Sequence, residues 1–94
     1  MSNTDKILEE RGQTHGDYTD HASVTQRTKD VWRSMPKWRS LNYSQRETLD
    51  MIAHKVGRIL AGNPNHQDHW TDIQGYSRLV EKEIERNFGW AQND

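Results

Sequence analysis

From Leu49 to Leu60 an apolar stripe runs through Leu49, Ile52, Ala53, Val56, Ile59 and Leu60, spaced i, i+3, i+4, i+7, i+10 and i+11. That spacing marks one face of a helix with 3.6 residues per turn. The stripe stops at Gly62-Asn63-Pro64-Asn65, a glycine and then a proline, the order in which helices end. A second stripe follows at once: Trp70, Ile73, Val80 and Ile84, with Ser77 in the same row. Two amphipathic helices joined by so short a turn pack antiparallel. This hairpin predicts an all-α fold, a small helical bundle in a single domain over residues 1–94.

The punctuation sets the expected elements. Ser44-x-x-Glu47 reads as a capping box for a helix over 44–61, and Asn65 opens a helix over 66–87. Upstream, Asn3 or Thr4 caps a short helix over 4–11 that Gly12 ends, and a helix over 20–35 stops before Pro36. Residues 12–19 read as a polar loop in which Gly16 marks a positive φ or a close backbone approach. Leu41 is placed as a hydrophobic staple. The tail, with Phe88 and Trp90, is expected to fray. The expected core is Val24, Val31, Trp32, Leu49, Ile52, Val56, Ile59, Trp70, Ile73 and Val80. No stretch alternates with a strand's period of two.

An apolar content of 31% is thin for a 94-residue chain, which would bury more surface as a homodimer or larger homo-oligomer. Gly75 points the same way. A glycine inside a helix costs about 1 kcal/mol against alanine, so close packing or ligand approach is expected there, with Tyr76 and Leu79 beside it. The net charge of −1 gives no polybasic footprint for duplex nucleic acid. No apolar run nears the ~18 residues of a membrane span, and Met1 to Asp5 has no signal-peptide character. The absence of cysteine fits a reducing compartment. The expected location is the cytoplasm.

Four groups of residues can carry chemistry. Glu47, Asp50, His54 and Arg58 share one stripe of the 44–61 helix, opposite the apolar one. Glu47 and Asp50 lie one turn apart and can share a hard cation such as Mg²⁺. The local alternative is a solvated face with an i, i+4 pair. His66, Asp68 and Asp72 can supply ligands, and Trp70 or Tyr76 can stack on a base. Locally, Asp68 only offsets the helix dipole and Trp70 belongs to the core. Lys55 and Arg58 suit the end of their helix or bind phosphate. His15-Gly16-Asp17-Tyr18 reads as turn chemistry and an N-cap, with His15 also able to touch a ligand. The short turn brings Lys55 and Arg58 against His66, Asp68 and Asp72, so the site is expected between the facing polar sides of the hairpin.

The run Lys55, Arg58, Asn63-Pro64, His66, Asp68, Trp70, Asp72-Ile73 and Gly75-Tyr76 resembles a family of small phage and prophage helical domains of unsettled function. The likeness spans roughly residues 45–80, with a looser match from Glu9 to Tyr18. That family is in turn similar to the all-α nucleoside triphosphate pyrophosphohydrolases of the MazG type. There, acidic pairs E-x-x-E and E-x-x-D hold Mg²⁺ over the triphosphate and dimers complete the pocket. The resemblance implies Glu47 and Asp50 as the first pair and Asp68 and Asp72 as the second, with Asp50 and Asp72 catalytic. Asp68 and Asp72 are spaced i, i+4 and not i, i+3, and Lys55 and Arg58 stand where a further glutamate is expected.

Two functions follow. One is Mg²⁺-dependent hydrolysis of a nucleoside triphosphate. The other is a sponge that sequesters cyclic-nucleotide or ADP-ribose-type immune signals, a counter-defence protein needing no metal. In both the ligand is a small phosphorylated nucleotide held by Lys55, Arg58, His66, Trp70, Tyr76 and His15. A module that binds only protein is the third alternative.

Overall fold

A computed structural model describes residues 2–89. Its four α-helices are α1 (Asn3–His15), α2 (Tyr18–Ser34), α3 (Tyr43–Ala61) and α4 (Gln67–Phe88), with a 3₁₀ turn at Pro36–Ser40. No strand occurs among the described residues. The chain is all-α, as the hydrophobic period requires. Trp90 and the expected fraying of the tail lie outside the described residues. No described helix is long and apolar enough to cross a membrane.

α1 runs past Gly12 to His15, so most of the expected 12–19 loop is helical. Gly12 has open space around it and lies on an exposed side. The chain turns instead at Gly16, with φ of 79°, where a side chain would be strained. Asp17 caps α2 by accepting from the Asp20 amide at 3.0 Å. The capping box of α3 is Asn42 with Gln45, not Ser44 with Glu47: Asn42 Oδ1 accepts from the Gln45 amide at 2.8 Å, and Gln45 Oε1 from the Asn42 amide at 3.0 Å. Asn42 precedes the first helical turn, where a cap must stand, whereas Ser44 is already inside it. His66, not Asn65, occupies the N-cap of α4 and makes no side-chain capping bond.

α3 is the middle of the molecule, packing against both α2 and α4. Lys55 of α3 meets Asp72 of α4, and Asn42 before α3 meets Glu83 late in α4. Pairs running in opposite order show that the hairpin is antiparallel. Against α2, α3 presents Ala53 and Gly57. A Cβ on Gly57 would collide with Thr25 Oγ1 and His21 Nδ1, so glycine is what lets α2 approach. Gly57 and Lys55 are two residues apart, about 200° around a helix. α2 and α4 therefore flank α3 on opposite sides, and the three form a layer.

The expected core is corrected here. The buried apolar residues among those described are Ala53 and Ile59, and buried beside them are His21, Thr25, Lys55 and His69. Val31 is 62% exposed and Trp70 49% exposed. The other expected core residues keep intermediate exposure, apart from Ile59. The periodicity located the apolar stripes, but only their edges, Ala53 and Ile59 on α3, are buried between helices, and the middle of each stripe is not. Gly75, expected at a close contact, has nothing near it.

Candidate functional site

The end of α1 is pinned onto the hairpin turn. A Cβ on Gly16 would collide with the Ala61 carbonyl, and one on Gly62 with the backbone of His15. The Thr14 carbonyl accepts from the Asn63 amide at 3.0 Å and lies 3.2 Å from His69 Nε2. A carbonyl oxygen only accepts, so Nε2 of His69 carries the hydrogen. His69 is 1% exposed, and this bond satisfies a ring nitrogen that would otherwise be buried without a partner.

This pinning gathers histidines. The His69 ring lies 4.7 Å from that of His66 and 5.4 Å from that of His15, centre to centre. About two turns back along α3 from Ala61, His54 meets His21 of α2 edge to face at 4.6 Å. His15, His21 and His54 then line a cavity of about 260 Å³ with Arg11, Arg58, Leu8 and Tyr18. Two guanidiniums and three imidazoles face it, and no carboxylate among the described residues does. Burial, then Arg58, then neighbouring histidines and Lys55 push His15 down from 6.5 to about 4. The same causes, burial first, bring His54 to about 4. His21 is lowered by burial and Arg58, and the Gly57 backbone pulls the other way without a full hydrogen bond to Nδ1. At neutral pH His15 and His54 are uncharged, so the fixed positive charge in the cavity is that of the arginines.

The other expected site residues are dispersed. Lys55 is buried and its Nζ lies 2.7 Å from Asp72 Oδ2. That hydrogen bond is the main reason the Asp72 carboxyl sits below the usual carboxylate range. Lys55 and Asp72 are thus committed to each other across the α3–α4 seam. Asp50 reaches Arg33 of α2 at 3.5 Å. Asp68 is exposed beside His66 at 3.7 Å. Glu47 and Tyr76 line a separate groove of about 500 Å³ with Tyr43, Met51 and Leu79. Trp70 donates its indole N–H to the Pro64 carbonyl at 2.7 Å, bracing the turn.

The expected metal set of Glu47, Asp50, Asp68 and Asp72 does not gather: among the described residues no group of three or more His, Asp or Glu could hold a metal ion. The acids are drawn to nearer cations, Asp50 to Arg33 and Asp72 to Lys55. The residues present do not fit a Mg²⁺ ion shared by these four. The expected meeting of Lys55 with Asp72 is present, but Arg58 faces the cavity by the α1–α2 junction. That junction, and not the hairpin where the sequence places the site, supplies His15 and Tyr18 to the cavity.

Arg11, His21 and His69 are not among the candidates that residue type and spacing single out. One signal was available: His21, Thr25, Thr28 and Trp32 recur at i, i+4, i+7 and i+11, a polar helical seam beside the apolar one. No curated protein and no solved structure matches the chain. A family match covers residues 1–84, from α1 through nearly all of α4 and including every residue of the cavity: the chain belongs to the family described as Domain of unknown function (DUF6378).

Proposed function

We propose that this chain binds a small phosphorylated ligand, a nucleotide or a nucleotide-derived signal, in the cavity between α1, α2 and α3. The observation that carries this reading is the lining: Arg11, Arg58 and three imidazoles, with no carboxylate opposing them among the described residues. Guanidinium groups offer paired N–H donors that match phosphate oxygens. Neutral imidazoles add donors without repelling one another. At about 260 Å³ the cavity takes a phosphate and part of a sugar. The base is left to the mouth, where the Tyr18 ring is 80% exposed and free to stack.

Binding without turnover is the better-supported form of the proposal, because Glu47, Asp50, Asp68 and Asp72 do not gather. It accords with the phage-type resemblance and with a sequestering role in the host cytoplasm. The test is a thermal-shift and calorimetric panel of inorganic phosphate, pyrophosphate, nucleoside triphosphates, cyclic di- and trinucleotides and cyclic ADP-ribose isomers, with and without Mg²⁺. At least one phosphorylated compound should bind and be recovered intact after denaturation. Arg58→Ala should weaken it by at least about tenfold, the scale of one charged hydrogen bond, with the ligand-free melting temperature nearly unchanged. Recovery of a cleaved ligand would establish hydrolysis instead. Silence across the panel would leave the cavity without this function.

A further inference from the structure

The apolar stripes of α2, α3 and α4 lie side by side on one face of the helical layer, half-buried for the most part, and no other element among the described residues packs over that face. On α3, Gln45, Leu49, Ile52, Val56 and Leu60 recur along one side, between the edge that meets α2 and the edge that meets α4. Leu41, Leu49, Ile52, Ser77 and Val80 line an open groove of about 280 Å³ on that side. On α2, Tyr18 and His21 reach the cavity, which fixes the ligand side of that helix. Val24 and Val31 lie on the other side of the His21–Thr25 seam, turned roughly 60–80° away from it at ~100° per residue. The ligand cavity and the bare apolar face are thus opposite surfaces of one layer.

We infer that this face is the interface with a second copy of the chain, and that the two layers stacked on it make the hydrophobic core that one chain lacks. A domain needs two packed layers around a core, and on this face the described residues supply one, α1 lying on the other side. The accessible surface is 7116 Å², against roughly 5,700 Å² for a compact monomer of this mass. That surplus, roughly 1,400 Å², is more than one side of a standard interface, about 800 Å², so the open face has area enough for one. The occupant is set by charge. The central strip, Gln45 to Leu60 on its outward side, carries no ionised group. A two-fold contact lays a surface on itself, which a charged strip would resist and this one does not. The Gly75, Tyr76 and Leu79 side, where the sequence placed the contact, belongs to the opposite surface and is left for other uses.

The test uses the full chain. Light scattering across a concentration series should give twice the 11.1 kDa chain mass, and the melting temperature should rise with concentration. Leu60→Glu and Val31→Glu alter side chains that are 68% and 62% exposed in the protomer. In a monomer both would be close to neutral. Here each should weaken dimerisation at least tenfold, while Leu79→Glu on the other surface should not. Because the chain has no cysteine, single cysteines placed in turn at Leu49, Val56 and Leu60 along the strip should give, for at least one, an oxidised, disulfide-linked dimer that reverts on reduction. An 11.1 kDa species with concentration-independent melting would overturn the inference. So would dissociation by Leu79→Glu with Leu60→Glu unaffected.

Discussion

Lys55 shows how one residue can be singled out for one role and found in another. Two charges late in α3 stand out in the sequence, and both Lys55 and Arg58 suggest phosphate. They lie three residues apart, only about 60° apart around the helix, yet their surroundings differ: Arg58 lines the cavity, and Lys55 sits in the α3–α4 seam, where it is 8% exposed and bonded to Asp72. Asp72→Ala should therefore act on the fold before it acts on any ligand. It strands a buried ammonium, and removing one partner of such a pair destabilises more than replacing both. Thermal melts at fixed protein concentration should show Asp72→Ala clearly below wild type, with Lys55→Met/Asp72→Leu recovering much of the difference. An Asp72→Ala variant that melts with wild type would mean that the pair holds nothing together. Residue types and spacing made Lys55, Arg58 and Asp72 visible. His69 stayed hidden because its neighbour Trp70 fitted the apolar period one position along, and only the fold brings its ring to Thr14, 55 residues away.

Among the elements, α3 and α4 were legible almost to the residue, 44–61 and 66–87 against Tyr43–Ala61 and Gln67–Phe88, because Gly62 and Pro64 punctuate them. α1 was not, because Gly12 reads as a stop and only the backbone at Gly16 shows where the helix yields. Caps illustrate the same limit. Ser44-x-x-Glu47 has the right letters, but Asn42-x-x-Gln45 stands at the boundary and makes both reciprocal bonds. Asn42 has a second task, since its Nδ2 donates to Glu83 Oε1 at 3.0 Å and ties the start of α3 to the far part of α4. Asn42→Ala should cost about 1 kcal/mol from the cap, read from denaturant unfolding, while Ser44→Ala should stay within about 0.5 kcal/mol. Asn42→Asp keeps the cap acceptor but sets a carboxylate against Glu83, so it should fall between them. Equal losses at Asn42 and Ser44 would return the cap to the position the motif suggested.

For the whole molecule, the apolar period found faces and could not say what each face meets, so a bare surface and a core read alike. The seams between helices hold imidazoles instead, and that makes the fold acid-sensitive. His15 and His54 titrate at about 4 when folded and at 6.5 when free. Above 6.5 both states are neutral and the difference has no effect. As pH falls from 6.5 towards 4 the unfolded chain takes up protons that the folded chain refuses, so stability declines through that window. Asp72, held below its ordinary range, extends the decline to lower pH in the same direction. A bound anion changes the sign of this balance at the cavity. Phosphate oxygens favour the imidazolium form, so the complex takes up protons that the free protein does not, and affinity should rise as pH falls. The probe must not titrate itself, which favours a phosphodiester such as a cyclic dinucleotide over a terminal phosphate with a second pKa near 6. If such a ligand binds the cavity, the melting temperature it adds should be larger at about pH 5.5 than at about pH 7.5. His54→Gln should flatten that dependence while Arg58→Ala removes binding at both values. A ligand whose stabilisation is the same at both values in the wild-type protein is not held by these imidazoles.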